Sequence, residues 1–230
     1  MTAPQVVLLD ALGTLLELED PVGGLRRELA DRGAPVEASA ARAALLREMA
    51  YYRAHCDQAA DLPALEDLRD RCAEVLRAAL PGRAGELPSG EVRAALLAAL
   101  RFTPFPEVAD VLSALRAAGS RLVIVSNWDV SLHGVLQETG LAALVDGVLT
   151  SAECGVAKPD PAIFHLALER AGGGASAAAL HVGDDPRTDV AGALAAGIAA
   201  VLVDRRGEHA APAPGVRVVR TLEGLLPAAR

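Results

Sequence analysis

The chain has 230 residues and a mass of 23.7 kDa, enough for one large α/β domain or for a core with a smaller inserted domain. Its formal net charge of -8 and its aromatic fraction of 3% argue against nucleic acid as a partner. We also expect no membrane span and no signal peptide. Three scattered cysteines suit a reducing compartment, so we predict a cytoplasmic protein.

The first predicted element is a buried parallel strand over residues 5–9, which ends at Asp10 and leads into a tight turn at Gly13 and Thr14. Between about Pro21 and Arg101 the chain changes to Ala, Leu, Arg and Glu at helical spacing. This pattern predicts four amphipathic helices and no strand. The breaks between them fall at residues 33–35, 61–63 and 81–90.

Beyond a linker at residues 102–106, predicted helices and strands alternate. The helices cover about residues 108–118, 130–139, 162–171 and 187–196; the strands cover 122–125, 147–150, 180–183 and 199–203, with a terminal strand and helix within 216–226. Such alternation predicts a doubly wound parallel α/β sheet. We expect residues 1–16 and 101–230 to form this Rossmann-like core and residues 17–100 to form an inserted helical domain.

Polar side chains follow several of the predicted strands. Asp10 ends the first strand, Ser126 and Asn127 follow another, and Asp184 begins an acidic stretch that also contains Asp185 and Asp189. Ligands of such sheets bind outside the carboxyl ends of the strands, where all of these groups are expected. Each of them alone could be an ordinary turn or helix-capping residue. Their convergence on one edge predicts a functional site.

One further residue of this edge is Lys158, which is the only lysine among the 22 basic residues of the chain. Lysine is a compact point charge, whereas the guanidinium of arginine is a wide planar fork. A single retained lysine therefore suggests a narrow site that holds an anion. The alternative is chance survival on a loop that enters a helix.

These residue types suit phosphoryl transfer. Asp10, Asp184 and Asp189 offer hard oxygen ligands for Mg²⁺, and neighbouring carboxylates need a positive centre. With the metal and Lys158 neutralising charge, Asp10 could attack phosphorus and form an aspartyl-phosphate. Ser126, Asn127 and backbone amides after Asp10 would then hold the phosphoryl oxygens.

Four motifs lie in order at the predicted strand ends: Asp10-Ala11-Leu12-Gly13-Thr14-Leu15, Ser126-Asn127, Lys158-Pro159-Asp160-Pro161, and Gly183-Asp184-Asp185 followed by Asp189. The set resembles the motifs of the haloacid dehalogenase superfamily of hydrolases. The helical stretch after the first motif resembles the α-helical cap of the subfamily whose cap lies near the N-terminus. The resemblance covers essentially the whole chain and implies a Rossmann-like core with an inserted helical cap.

The resemblance also implies a role for each matching residue. Asp10 matches the nucleophile, Lys158 the charge-stabilising lysine and Ser126 the phosphate-binding hydroxyl. The residues expected to bind substrate are Gly13, Thr14, Ser126, Asn127 and Lys158, and those expected to bind Mg²⁺ are Asp10, Leu12 through its carbonyl, Asp184 and Asp189. The expected reaction is the hydrolysis of a small phosphorylated metabolite by a monomer or homodimer.

The chain departs from the family pattern at Leu12, where phosphatases of this kind usually carry a second Asp that acts as general acid and base. General acid catalysis commonly contributes about 10²–10⁴-fold. We therefore expect slow turnover of alkyl phosphates and better turnover of aryl or acyl phosphates.

Three alternatives come from the same residues. A 2-haloacid dehalogenase also lacks an acid at the position of Leu12, but it needs no metal, whereas Asp184 and Asp189 are both present here. Phosphonoacetaldehyde hydrolase needs a lysine in its cap, and residues 17–100 contain none. The third alternative is a non-catalytic protein that keeps the scaffold as a binding module.

Overall fold

The structure, a computed structural model, describes residues 4–173, 176–209 and 213–226. The chain forms two compact units: Met1–Glu17 with Pro104–Arg230, here called the sheet unit, and Leu18–Thr103, here called the helical unit. The first part of the sheet unit is short, but it contains the strand that leads to Asp10.

The strands of the described residues are β1 (Val6–Leu9), β2 (Leu16–Leu18), β3 (Phe102–Pro104), β4 (Arg121–Ser126), β5 (Gly147–Thr150), β6 (Ala179–Gly183), β7 (Ala199–Val203) and β8 (Arg217–Val219). The α-helices are α1 (Pro21–Asp31), α2 (Ala38–His55), α3 (Leu62–Ala79), α4 (Gly82–Glu86), α5 (Ser89–Ala99), α6 (Val108–Ala117), α7 (Leu132–Glu138), α8 (Ser151–Cys154), α9 (Pro161–Arg170) and α10 (Ala191–Ala195).

The core of the sheet unit is a six-stranded sheet in the order β5-β4-β1-β6-β7-β8, and all of its strand pairs are parallel. The predicted doubly wound parallel fold is confirmed. β1 lies in the middle of the sheet, and its four residues are fully covered because each face of a parallel sheet carries packed helices. On one face, Phe164 and Ile163 of α9 pack with Val6, Leu8 and Val125.

Several helices of the sheet unit differ from the predicted ones. The helix expected over residues 187–196 is a π-helical turn, Pro186–Val190, followed by α10. The turn is wider because the amides of Asp189 and Val190 both donate to the carbonyl of Asp185. The short helix α8 was not predicted, since four residues are too few to show a helical period.

The helical unit contains α1 to α5. Asp20 and Asp61 begin α1 and α3, where each carboxylate accepts a hydrogen bond from a first-turn amide. The helices bury the predicted apolar stripes, including Leu25, Leu68 and Leu96. Two expectations were wrong: α4 lies within the predicted break at 81–90, and residues 102–104 of the predicted linker form β3, which pairs with β2. Both elements are too short for a periodic signal.

No helix in the described part of the chain is both long enough and apolar enough to cross a membrane.

Candidate active site

The carboxyl edge of the sheet brings Asp10 between two neighbouring strands. Leu9 pairs with Ile124 of β4 on one side and with Val182 of β6 on the other. The amide of Asp10 donates to the carbonyl of Val182 at 2.9 Å, which continues the sheet to this residue. The side chain therefore emerges beside the ends of β4 and β6, where the sequence places Ser126 and Asp184.

Lys158 lies in the loop between α8 and α9 and is buried, with 4% of its surface exposed. Its Nζ donates to Asp10 Oδ1 and to Asp189 Oδ1, both at 2.6 Å. Burial alone would lower the pKa of this ammonium, but the two carboxylates raise it above its ordinary value. The only lysine of the sequence is therefore a charged group held between two acids.

Ser126 and Asn127, the polar pair after β4, have different partners. The Ser126 hydroxyl donates to Asp10 Oδ1 at 3.1 Å. The Asn127 side chain brackets the backbone of Lys158: its Nδ2 donates to the carbonyl and its Oδ1 accepts from the amide, both at 2.8 Å. Ser126 thus lies beside the predicted nucleophile, and Asn127 positions Lys158. The predicted contact of the Asn127 amide with substrate stays a prediction.

The three predicted metal-binding carboxylates form one cluster. One oxygen from each of Asp10, Asp184 and Asp189 lies within 4.8 Å of the others. Burial raises the pKa of Asp184 to about 7, and the charges of Asp10 and Asp189 add to this shift. Burial also raises the pKa of Asp10, against the opposing effect of Lys158. Three carboxylates share one lysine here, so the cluster suits a further positive centre.

Asp189 differs from its two neighbours because it contacts two basic side chains, Lys158 and His181. Burial would raise its pKa, but Lys158 and His181 hold that pKa well below its ordinary value. His181 Nε2 contacts Asp189 Oδ1 at 3.0 Å, and the Asp185 amide donates to Asp189 Oδ2 at 3.0 Å. Both oxygens of Asp189 thus contact other groups of the protein, in addition to the predicted role of Asp189 as a metal ligand.

His181 is a site residue that the sequence pattern did not reveal. It is fully buried within β6, in an apolar run where a histidine is typical of an ordinary core position. Its contact with Asp189 depends on the π-helical turn after β6, which brings Asp189 back over the strand. The available signal was the polar residue two positions before Gly183, on the same side of the strand.

The loop after Asp10 packs closely against the acid cluster. Gly13 has a φ of 85°, and a Cβ atom there would lie 2.1 Å from Asp184 Oδ2, so no side chain fits. Thr14 is buried, and its Oγ1 has no hydrogen-bond partner among the described residues. Leu12, which lies two residues after Asp10, is 39% exposed.

Other polar residues of this edge have structural roles. Asp185 Oδ1 accepts from the amides of Arg187 and Thr188 and so begins the π-helical turn. Asp129 accepts from the amide of Ser131, as expected for a residue that precedes a helix. Trp128 is buried, and its Nε1 donates to Ser131 Oγ.

The donor set of the acid cluster fits a hard divalent cation. Three carboxylates meet at one point; burial raises the pKa values of Asp10 and Asp184, and the charge of Asp189 adds to both shifts. Mg²⁺ prefers oxygen ligands of this kind and keeps some of its waters, so few protein ligands suffice. The arrangement also places the carboxylate of Asp10 beside a fixed ammonium and a hydroxyl, the kinds of group that displacement at an electrophilic centre uses.

Comparisons with known proteins point to one family, but the similar proteins are named for different activities. A family model described as haloacid dehalogenase-like hydrolase matches residues 4–197. The phosphoserine phosphatase of Thermus thermophilus is 40% identical over 121 residues, 51% of this chain and 48% of that protein. The pyrimidine 5'-nucleotidase YjjG of Escherichia coli is 36% identical over 129 residues, 54% of this chain and 57% of that protein. The chain thus aligns with about half the length of these curated relatives.

Among solved structures, a 2-haloacid dehalogenase from Pseudomonas syringae pv. Tomato is similar over 96% of both chains, with 26% identity and a TM-score of 0.66. This chain is therefore similar to a protein named as a phosphatase, to one named as a nucleotidase and to one named as a dehalogenase. The choice between these activities depends on the chemistry of the site.

Proposed function

This chain belongs to the haloacid dehalogenase-like hydrolase family, and on that premise we propose that it is a Mg²⁺-dependent phosphatase that hydrolyses a small phosphorylated metabolite through an aspartyl-phosphate at Asp10. The observation that carries the proposal is the cluster of Asp10, Asp184 and Asp189 around a buried Lys158. Attack on the carbon of a haloacid needs no such excess of carboxylates, whereas a metal-assisted phosphoryl transfer does. The phosphatase-named relative supports the same reaction class.

In the proposed reaction, a carboxylate oxygen of Asp10 attacks phosphorus while the bond from phosphorus to the leaving oxygen breaks. The structure gives Asp10 Oδ1 hydrogen bonds from Ser126 and Lys158, so Oδ2 is the proposed nucleophile. Water then attacks phosphorus, breaks its bond to Asp10 and releases inorganic phosphate. Lys158 balances negative charge in both steps, and the backbone amide of Thr14 binds a phosphoryl oxygen, whereas the Gly13 amide donates to the carbonyl of Leu16.

The residues that would hold Mg²⁺ are Asp10, Asp184 and Asp189, together with the backbone carbonyl of Leu12. When bound, the ion would neutralise the carboxylates and a phosphoryl oxygen. Asp189 combines this proposed role with holding Lys158, which we expect to be its larger contribution. The cytoplasmic location and the monomeric or homodimeric state stay predictions.

Leu12 defines the proposed preference for leaving groups. Its side chain has no proton to give, so the leaving oxygen must depart as an anion or take a proton from solvent. Aryl and acyl phosphates have stable leaving anions, whereas alkyl phosphates do not. The exposed leucine side chain also offers an apolar surface near Asp10, which suits an apolar leaving group.

A 2-haloacid dehalogenase is the second candidate. The missing acid at Leu12 and the similar dehalogenase structure favour it. In that reaction Asp10 would attack carbon, halide would leave without a proton, and water would cleave the ester. Asp184 would then have no evident task. Its position would be unexplained, since burial and two neighbouring carboxylates raise its pKa to about 7.

One panel of substrates tests the proposal. The purified protein is assayed with an aryl phosphate, an acyl phosphate, an alkyl phosphate and 2-chloropropionate, each with Mg²⁺ and with a chelator. We expect phosphate release that depends on Mg²⁺ and is fastest with the aryl or acyl compounds. Leu12→Asp should raise the alkyl rate by roughly 10-fold or more relative to the aryl rate. Chloride release that is insensitive to chelator would overturn the proposal. Equal rates for the alkyl and aryl phosphates would overturn the proposed preference for leaving groups.

A further inference from the structure

Arg205 is bonded to the loop that follows Asp10, although it is distant from that loop in the sequence. It lies two residues after β7, within the sheet unit. Its Nε donates to the carbonyl of Gly13 at 3.1 Å, and its Nη2 donates to the carbonyl of Thr14 at 2.6 Å. One side chain thus fixes two consecutive peptide groups of the loop proposed to bind substrate.

The guanidinium of Arg205 is itself held in place from two other sides. Its Nη1 donates to Glu107 Oε1 at 2.8 Å, and that oxygen also accepts from the amide of Leu222 at 3.2 Å. Its Cζ lies 3.4 Å from the centre of the Phe105 ring, a stacked cation–π arrangement. The side chain of Arg205 is 16% exposed, so these contacts are only partly screened by water.

Fixing a carbonyl also fixes the amide of the same peptide group. The peptide group is planar and trans, so its N–H points away from its C=O. When Arg205 holds the Gly13 carbonyl, the Thr14 amide must point in the opposite direction. Because a hydrogen bond to a carbonyl also polarises the peptide group, the amide becomes a better donor. Arg205 therefore sets both the direction and the strength of an amide in the loop after Asp10.

We propose that Arg205 is a positioning residue for the reaction: through the Gly13 carbonyl it orients the Thr14 amide, which receives the phosphoryl group. The role toward the phosphoryl group rests on the proposed function, whereas the orientation of the loop does not. Arginine is required here because three donors in one plane meet two carbonyls and a carboxylate, a geometry that the single ammonium of lysine cannot reproduce.

The chain supplies a matched control for this proposal. Arg206 is the next residue and is exposed, so Arg206→Lys makes the same chemical change without touching the loop. In Arg205→Lys we expect kcat to fall by roughly 10- to 100-fold with little change in KM, because donors would be misplaced in the transition state. Arg206→Lys should keep both constants. Activity is followed with whichever member of the substrate panel the wild-type protein turns over fastest.

A second measurement separates this proposal from the proposed function. Hydrogen–deuterium exchange of residues 11–16 requires no substrate, and it should be faster in Arg205→Lys than in Arg206→Lys. If wild-type protein hydrolyses no phosphate compound but this difference is present, the proposed function fails and the positioning of the loop stands. Equal exchange in the two variants, or an unchanged kcat in Arg205→Lys, would overturn the role of Arg205.

Chemical rescue tests whether the guanidinium itself is needed. Arg205→Ala leaves room above Phe105 and beside Glu107, and millimolar guanidinium should restore part of kcat in this variant. Sodium chloride at equal ionic strength should not. If Arg205→Ala is soluble and folded by circular dichroism but guanidinium gives no more recovery than sodium chloride, the side chain has only a structural role and the proposal is wrong.

Discussion

Asp189 of the sheet unit and Glu48 of the helical unit are both buried acids, but their pKa values shift in opposite directions. In the sheet unit, Asp189 is buried against Lys158 and His181, and its pKa lies well below its ordinary value. In the helical unit, Glu48 of α2 is 4% exposed, and its recorded partner is the thiol of Cys72 rather than a cation. Burial raises the pKa of Glu48 to about 7. Both side chains are almost fully buried, so for these two acids the contacts of Asp189 with Lys158 and His181 explain the difference in direction.

These opposite pKa shifts distinguish a buried acid that serves the proposed chemistry from one that does not. A carboxylate without a cation can avoid the cost of burial by taking up a proton, as Glu48 does below about pH 7. Asp189 is instead kept charged by Lys158 and His181, an arrangement that is costly for stability and is expected beside a functional site. Substitutions at Asp10, Lys158 and Glu48 test this contrast.

The largest effect is expected from Asp10→Asn. The amide keeps the size of the side chain and can still accept from Ser126 and Lys158, but it is not a nucleophile. We expect kcat to fall by roughly 10³-fold or more with little change in the thermal unfolding midpoint. Glu48→Gln makes the same kind of change at the buried acid of the helical unit and should keep its activity. Similar losses in both variants would contradict the contrast between the units.

A smaller but still large effect is expected from Lys158→Arg. The charge is kept, but the guanidinium fork is wider than the ammonium that now lies 2.6 Å from both Asp10 and Asp189. We expect kcat to fall by roughly 10²-fold because the carboxylates must move apart. The measurement is steady-state kinetics on protein whose fold has been checked by circular dichroism. Near-normal kcat would mean that charge alone matters at this position.

Glu48 should make the stability of the protein depend on pH. The pKa of Glu48 is raised in the folded state from an ordinary 4.5 to about 7, so the folded protein binds this proton over a pH range in which the unfolded chain releases it. The stability that this acid contributes is complete below about pH 4.5 and is lost as the pH rises towards about 7. Glu48→Gln resembles the protonated form at every pH.

The free energy of unfolding of Glu48→Gln relative to wild type should therefore rise with pH, by about 3 kcal/mol between roughly pH 5 and pH 8. Urea unfolding followed by circular dichroism measures the change. Glu37→Gln, at an exposed position just before α2, is the matched control and should give a flat difference. A flat difference for Glu48→Gln as well would show that its carboxylate is solvated.

Much of the fold and part of the site follow from the sequence. Apolar runs that end in Asp10, Ser126 and Gly183 predict parallel strands with polar ends, because burial on both faces needs continuous apolar residues. The single lysine stands out by composition alone. These signals are local, so they can be found without knowing which elements become neighbours.

The remaining contacts depend on tertiary structure. His181 resembles a core histidine until the turn after β6 brings Asp189 over it. Arg205 is one of 21 arginines, and nothing near it in the sequence indicates that it reaches Gly13 and Thr14. The acidity of Glu48 likewise depends on how completely α2 is covered. In all of these cases the determining contact joins residues that no sequence period connects.

The most direct test of the central claim is the fate of solvent oxygen in a single turnover. Wild-type enzyme in excess is mixed with its best phosphorylated substrate and Mg²⁺ in water enriched in ¹⁸O. Attack of water on an aspartyl-phosphate at phosphorus should place one ¹⁸O in inorganic phosphate and none in the peptide that contains Asp10. Incorporation of ¹⁸O into Asp10 would contradict the account, because it would mean that water attacks the carboxyl carbon of an ester, as a dehalogenase requires.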